Sequence, residues 1–112
     1  MSDCIFCKIV KKEIPADIVF ENEAMLAFKD IRPQAPVHLL LIPKQHVQSL
    51  EHVTEQDGVL LQQMLLTLPN LAKDNGLQEG FRTVLNTGPG GGQEVDHIHF
   101  HLIGDVRHIS NN

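Results

Sequence analysis

Asp96-His97-Ile98-His99-Phe100-His101-Leu102-Ile103 alternates imidazole with apolar side chains at a period of two. In a β-strand that period sends successive side chains to opposite faces. His97, His99 and His101 therefore share one face, and Ile98, Phe100 and Leu102 share the other, which reads as core. The predicted strand runs from Val95 to Ile103. Directly before it, Gly88-Pro89-Gly90-Gly91-Gly92 permits backbone angles closed to other residues and leaves N–H groups free of side-chain cover. Such a loop suits a small anion, phosphate above all, although a plain flexible hairpin loop has the same composition. Neutral imidazole is a nucleophile near neutral pH and can leave again. A histidine beside an anion loop can thus carry a phosphoryl group covalently and divide one difficult displacement into two easier ones.

Upstream, Phe81 to Asn86 reads as a fourth strand. The stripe Leu60, Leu61, Met64, Leu65, Leu68, Leu71, Ala72 has helical spacing, and Thr54 with Asp57 forms a capping-box pattern before it. Asn75-Gly76 is the stop signal, and Pro69 predicts a kink or break. Ile18-Val19-Phe20 and Met25-Leu26-Ala27-Phe28 read as a hairpin. The run from Val37 to Ile42, closed by Pro43, reads as a central strand. Cys4 to Lys12 predicts a short helix ended by Pro15. Five strands around one long and one short helix argue an α+β fold with a mostly antiparallel sheet.

The 112 residues fit a single domain spanning 1–112, with 42% hydrophobic and 21% charged side chains, close to the soluble average. No apolar run approaches the roughly 20 residues of a membrane span, and Met1-Ser2-Asp3 does not open a signal peptide, so a cytoplasmic protein is expected. A net charge of −5 with nine scattered Lys and Arg residues lacks the footprint of a protein that grips long nucleic acid. The two cysteines stand as Cys4-x-x-Cys7, half of a tetrahedral metal site or a redox pair; no thioredoxin-like pattern surrounds them. His52 and His108 carry no assignable role and are expected at the surface.

His97 to Ile103 resembles the His-φ-His-φ-His-φ-φ signature of the histidine triad (HIT) family of nucleotide hydrolases and transferases. The resemblance extends over Cys4-Ile5-Phe6-Cys7-Lys8-Ile9, Ala27-Phe28-Lys29-Asp30-Ile31, Gln34-Ala35-Pro36-Val37-His38, Ile42-Pro43-Lys44-Gln45-His46 and Gly91-Gly92-Gln93, and is to the purine nucleoside phosphoramidase branch. It implies that His99 attacks the α-phosphorus of a nucleoside 5'-phosphoramidate, that His101 bonds a phosphoryl oxygen, and that His38 completes the cluster. It further implies Asp30 on the ribose, Ile5, Phe6, Ile9, Phe28 and Ile31 around a purine base, and Asn86, Gly92, Gln93, Glu94 and Val95 at the phosphate or leaving group.

Glu94 stands where some members carry Ser or Thr, so a cationic leaving group is favoured over a polyphosphate. By the same resemblance Cys4, Cys7, His46 and His97 hold a structural zinc, and the protein is a homodimer whose sheet extends across the dimer. A metal-free cysteine pair is the alternative for the first. For function the alternatives are dinucleoside polyphosphate hydrolysis, a nucleotide-binding or interaction protein with weak turnover, and a hydrolase whose His-x-His pair holds a catalytic metal.

Overall fold

The computed structural model describes residues 4–108. Its elements are α1 (Ile5–Val10), β1 (Ile18–Glu21), β2 (Met25–Lys29), β3 (Val37–Pro43), α2 (Gly58–Asp74), β4 (Arg82–Val84) and β5 (Phe100–Gly104), with short 3-10 turns between them. The five strands form one antiparallel sheet in the order β1-β2-β3-β5-β4, with β3 central as its apolar run implied.

The two faces of the sheet bury different residues. Met25, Ala27, Leu39, Leu41, Phe100 and Leu102 point to α2 and meet Met64, Leu68, Leu71 and Ala72. The intervening residues Leu26, Phe28, Leu40 and Ile42 point the other way and meet Phe6 and Ile9 of α1. The result is a helix–sheet–helix sandwich, so the histidine face of β5 is covered as well. Among the described residues no helix is long and apolar enough to cross a membrane.

Both helices end in Schellman motifs. Leu77 N–H bonds the Ala72 carbonyl and Gly76 N–H that of Lys73 around Gly76 at φ 83°, as Asn75-Gly76 predicted. In α1 the same pattern, Glu13 N–H to the Lys8 carbonyl and Lys12 N–H to that of Ile9, turns on Lys12 at φ 64°. A left-handed lysine therefore ends α1, three residues before Pro15. Its ammonium is tied to Glu21 at 2.8 Å.

Three expectations are corrected. First, α2 runs unbroken through Pro69. The carbonyl that Pro69 orphans belongs to half-exposed Leu65, where water can serve it. The Thr54–Asp57 capping box is present, but it closes a 3-10 turn that runs directly into the helix. Second, β4 is confined to Arg82–Val84. Third, β5 begins at Phe100, because the ladder with β3 ends at the Leu41–Phe100 pair. Beyond it Pro43 has no N–H to offer, its carbonyl is 2.8 Å from the His97 ring, and Ile98 N–H turns to the Val47 carbonyl at 2.7 Å. His97 and His99 consequently precede the strand.

Candidate active site and metal centre

A cleft of about 490 Å³ opens on the α1 side of the sheet. Its walls include Ile5, Phe6, Ile9, Phe28, Asp30, Ile31, Asn86, Gly92, Glu94, Val95, His99 and His101. Of the residues assigned to substrate from sequence, Gln93 alone is absent from this lining, and Ile31 sits at the mouth, 91% exposed. Leu40, which the sequence reading omitted, also lines the cleft. The alternation that puts His38 on this face puts Leu40 there too, opposite His101 in the β3–β5 register. His99 is only 6% exposed and forms part of the cleft lining. Phe6 meets its ring edge-on at a centroid distance of 5.1 Å.

Hydrogen bonds assign a tautomer to each ring. His99 Nδ1 lies 2.7 Å from the His97 carbonyl, which can only accept, so Nδ1 carries the proton and Nε2 keeps its lone pair. His38 Nδ1 accepts from the Gln34 backbone N–H at 3.1 Å, so His38 Nε2 is protonated. That nitrogen donates to His101 Nδ1 at 2.9 Å, with an Asp30 oxygen 3.4 Å away. His101 is thereby left with a proton on Nε2. The series therefore ends in one imidazole lone pair, on His99, beside one imidazole donor, on His101, with ring centroids 5.1 Å apart. His38 itself is buried behind these wall residues and does not line the cleft. Sequence reading missed the Gln34 N–H, because a backbone donor has no side-chain signature.

Burial pushes His101 down to about 4, with the neighbouring His99 and His38 adding to the effect. Burial also lowers His38, with Asp30 opposing. Both rings are neutral at pH 7. The unfolded chain binds a proton on each near the ordinary value of about 6.5, whereas folded His101 waits until about 4. Between those limits the unfolded state holds more protons, so stability falls as pH is lowered from 6.5 to 4 and is level above 7. Urea unfolding at pH 7, 5.5 and 4.5 should show this loss, of order 2 kcal/mol from His101 after discount for its part exposure. A His101→Gln variant should show a shallower slope.

The glycine loop differs from its sequence reading. Gly91, Gly92 and Gln93 donate their N–H groups to carbonyls within the loop, and Gly88 donates to Gln93 Oε1 at 2.8 Å. Most of the expected free donors are thus used internally. The backbone N–H groups of Glu94 and Val95 have no partner among the described residues, and both residues line the cleft. Gln93, expected on phosphate, instead staples the loop: its Nε2 donates to the Gln48 carbonyl at 2.7 Å and the Val95 carbonyl at 2.9 Å. Gln93→Glu sets a carboxylate against two carbonyls, so turnover should drop by about 10- to 100-fold in steady-state assays while circular dichroism stays unchanged.

A second cluster lies behind the cleft. The ligand atoms of Cys4, Cys7, His46 and His97 all fall within 4.8 Å of one another. His97 Nδ1 is 3.3 Å from Cys4 Sγ, 3.6 Å from Cys7 Sγ and 3.2 Å from His46 Nδ1, and Cys7 Sγ is 3.3 Å from His46 Nδ1. A tetrahedral zinc with bonds of about 2.05 Å to N and 2.3 Å to S separates an N–N pair by about 3.3 Å, an N–S pair by about 3.6 Å and an S–S pair by about 3.8 Å. The donors fit such an ion. The outer contact agrees, since His97 Nε2–H donates to the Pro43 carbonyl and leaves Nδ1 free as a ligand.

Asp30, His38 and His101 form another close group. There the outer contact is reversed: Gln34 donates to His38 Nδ1 and thereby keeps a proton on the nitrogen that an ion would need. This group is built for hydrogen bonding. Burial raises the Cys7 thiol, so metal binding would release its proton. His52, exposed, only shares a hydrogen bond with Ser49 at 2.8 Å, and the side chain of His108 lies outside the described part.

A sheet with a buried histidine array, one free imidazole lone pair and an adjoining donor pocket defines a phosphate-chemistry site of the histidine triad kind. The family described as "Scavenger mRNA decapping enzyme C-term binding" matches residues 3–111. The chain is 56% identical over 104 residues to Protein HitA of Neisseria gonorrhoeae, covering 93% of this chain and 97% of that protein. To the Adenylylsulfatase HINT1 of Arabidopsis thaliana it is 51% identical over 105 residues, covering 92% of this chain and 71% of that one. A HIT family hydrolase from Legionella pneumophila superposes with a TM-score of 0.89 at 53% identity, covering 91% of this chain and 92% of the other. The chain belongs to the histidine triad (HIT) family.

Proposed function

We propose that this HIT-family hydrolase cleaves nucleoside 5'-phosphoramidates to the nucleoside monophosphate and an amine through a nucleotidyl-His99 intermediate. The observation that carries the reading is the His99 tautomer: Nδ1–H is held on the His97 carbonyl, and Nε2 is bare beside the cleft. In the first step the Nε2 lone pair forms a bond to phosphorus. The P–N bond breaks, and the amine leaves with its electron pair and takes up a proton. In the second step water adds to phosphorus and loses a proton to solvent, and the bonding pair returns to Nε2.

The His101 Nε2–H and the N–H groups of Glu94 and Val95 stabilise the charge that builds on the phosphoryl oxygens. Asp30 retains acceptor capacity for ribose hydroxyls, since Oδ1 takes only the Arg32 N–H at 2.8 Å among backbone donors. Phe6, Ile9, Phe28 and Leu40 supply apolar walls for a purine.

The Cys4–Cys7–His46–His97 cluster would hold zinc with four protein ligands and no open position, which supports a structural ion rather than a metal-activated water. A homodimer is part of the reading: among the described residues β4 pairs only with β5, which leaves its outer edge to continue the sheet across a twofold axis, and Leu65 and Leu66 are exposed on α2.

The relative named as an adenylylsulfatase gives reason to test a second leaving group, sulfate, on the same adenylyl group. Exposed Glu94 on the cleft wall favours a cationic amine and repels sulfate or polyphosphate. Comparing kcat/KM for adenosine 5'-phosphoramidate, adenosine 5'-phosphosulfate and diadenosine tetraphosphate tests this. The phosphoramidate should lead, and Glu94→Ser should narrow the gap by about tenfold. A higher rate on the tetraphosphate would overturn the assignment.

A further inference from the structure

The metal cluster and the cleft share parts of the chain. Two of the four ligands, Cys4 and Cys7, belong to the first turn of α1, where Cys4 is the N-cap and its sulfur accepts the Cys7 N–H at 3.3 Å. The same six-residue helix supplies Ile5, Phe6 and Ile9 to the cleft and sets Phe6 against His99. A helix of that length has little stability of its own, so its placement depends on what anchors it.

The third shared part is His97, which is fully buried and held at four points. Its ring Nδ1 faces the cluster, and its Nε2–H is on the Pro43 carbonyl. Its backbone N–H is on the Val95 carbonyl at 2.9 Å, and its own carbonyl holds the His99 Nδ1 proton at 2.7 Å. An ion bound at the cluster would therefore fix both the helix that walls the base slot and the peptide that sets the nucleophile's tautomer.

We infer that zinc binding at Cys4, Cys7, His46 and His97 is thermodynamically coupled to nucleotide binding in the cleft, with His97 the positioning residue that joins them. The inference rests on the nucleotide-cleft reading above. Coupling of this kind is reciprocal: if zinc tightens adenosine monophosphate, the monophosphate tightens zinc by the same factor. The route runs through packed, hydrogen-bonded groups in direct contact, so no distant conformational change is needed. Of the four ligands, His46 is exposed and belongs neither to α1 nor to the catalytic segment, which makes it the place to weaken zinc alone.

The experiment uses the full chain. Zinc affinity is measured by chelator competition with and without saturating adenosine monophosphate. Nucleotide affinity is measured by calorimetry on loaded and zinc-stripped protein, and histidine ring nitrogens are followed by 15N NMR. The expected result is about tenfold tighter nucleotide binding in loaded protein, the same factor on zinc, and a His99 Nδ1–H signal that is sharp when loaded and broadened when stripped. His46→Ala should weaken zinc while leaving the zinc-free nucleotide affinity unchanged.

Equal nucleotide affinity with and without zinc overturns the coupling and leaves the cleft reading standing. Absence of nucleotide binding in both forms overturns the cleft reading and the coupling with it. Failure to bind zinc overturns the coupling, and so does global loss of amide dispersion on stripping, because the ion would then act on folding as a whole and not through His97.

Discussion

Replacing His99 by alanine should lower turnover of adenosine 5'-phosphoramidate by on the order of 10⁴-fold or more, while binding of adenosine monophosphate changes little. Among the described residues no other imidazole near the cleft can substitute. His101 has its Nδ1 lone pair engaged by His38 and so carries its proton on Nε2, His97 Nδ1 is turned to Cys4, Cys7 and His46, and His38 lies behind His101. Removing the attacking group of a covalent mechanism costs nearly the whole catalytic advantage, whereas removing one stabilising donor costs about 10² to 10³. His101→Ala should accordingly show the smaller loss. Steady-state kinetics for the rate and calorimetry for binding make the comparison. Equal losses in the two variants would mean that His99 does not have the privileged role assigned to it.

Two neighbouring leucines on the central strand should separate stability from binding. Leu41 is fully buried, pairs with Ala27 and Phe100, and points into the core under α2. Leu41→Ala should destabilise the protein by about 3 kcal/mol, the lost transfer energy plus a cavity that strands on both sides prevent from collapsing. The cleft, on the opposite face, keeps its shape, so KM should be unchanged. Leu40 lies on the cleft side, in the smaller core with Phe6 and Phe28, and forms part of the cleft wall. Leu40→Ala should raise KM several-fold by removing apolar surface from the base slot. Chemical denaturation and kinetics on both variants test the division of the sheet into a structural and a functional face. A reversed pattern would refute it.

At β5 that division was legible in the sequence, because imidazole and apolar residues alternate there, whereas the continuous apolar runs of β2 and β3 do not show which residues face α2 and which face α1. The long helix was equally clear from its stripe, and its C-terminal stop from Asn75-Gly76. The features that escaped are those decided by tertiary context. Pro69 continues α2 because it falls on an exposed side of the helix, which no local rule states. Lys12 ends α1 in a conformation its side chain disfavours, and the cost is offset by the capping bonds and the Glu21 ion pair. The start of β5 is set by where β3 runs out of donors at Pro43, a property of the partner strand.

At the site, the family resemblance named most of the residues that line the cleft and the four residues that gather as Cys4, Cys7, His46 and His97. Gln93, expected at the phosphate or leaving group, bonds backbone carbonyls, and an amide on a backbone carbonyl and an amide on phosphate have the same sequence signature. The donors that orient the rings are main-chain atoms of Gln34 and His97, whose action depends on backbone placement and not on side-chain identity.

The most direct measurement is rapid-quench intact mass spectrometry of the protein mixed with adenosine 5'-phosphoramidate. The account predicts a transient gain of one adenylate, mapped to His99 by fragmentation and absent from His99→Gly. Turnover with no adduct at any quench time, or an adduct that persists in His99→Gly, would contradict it.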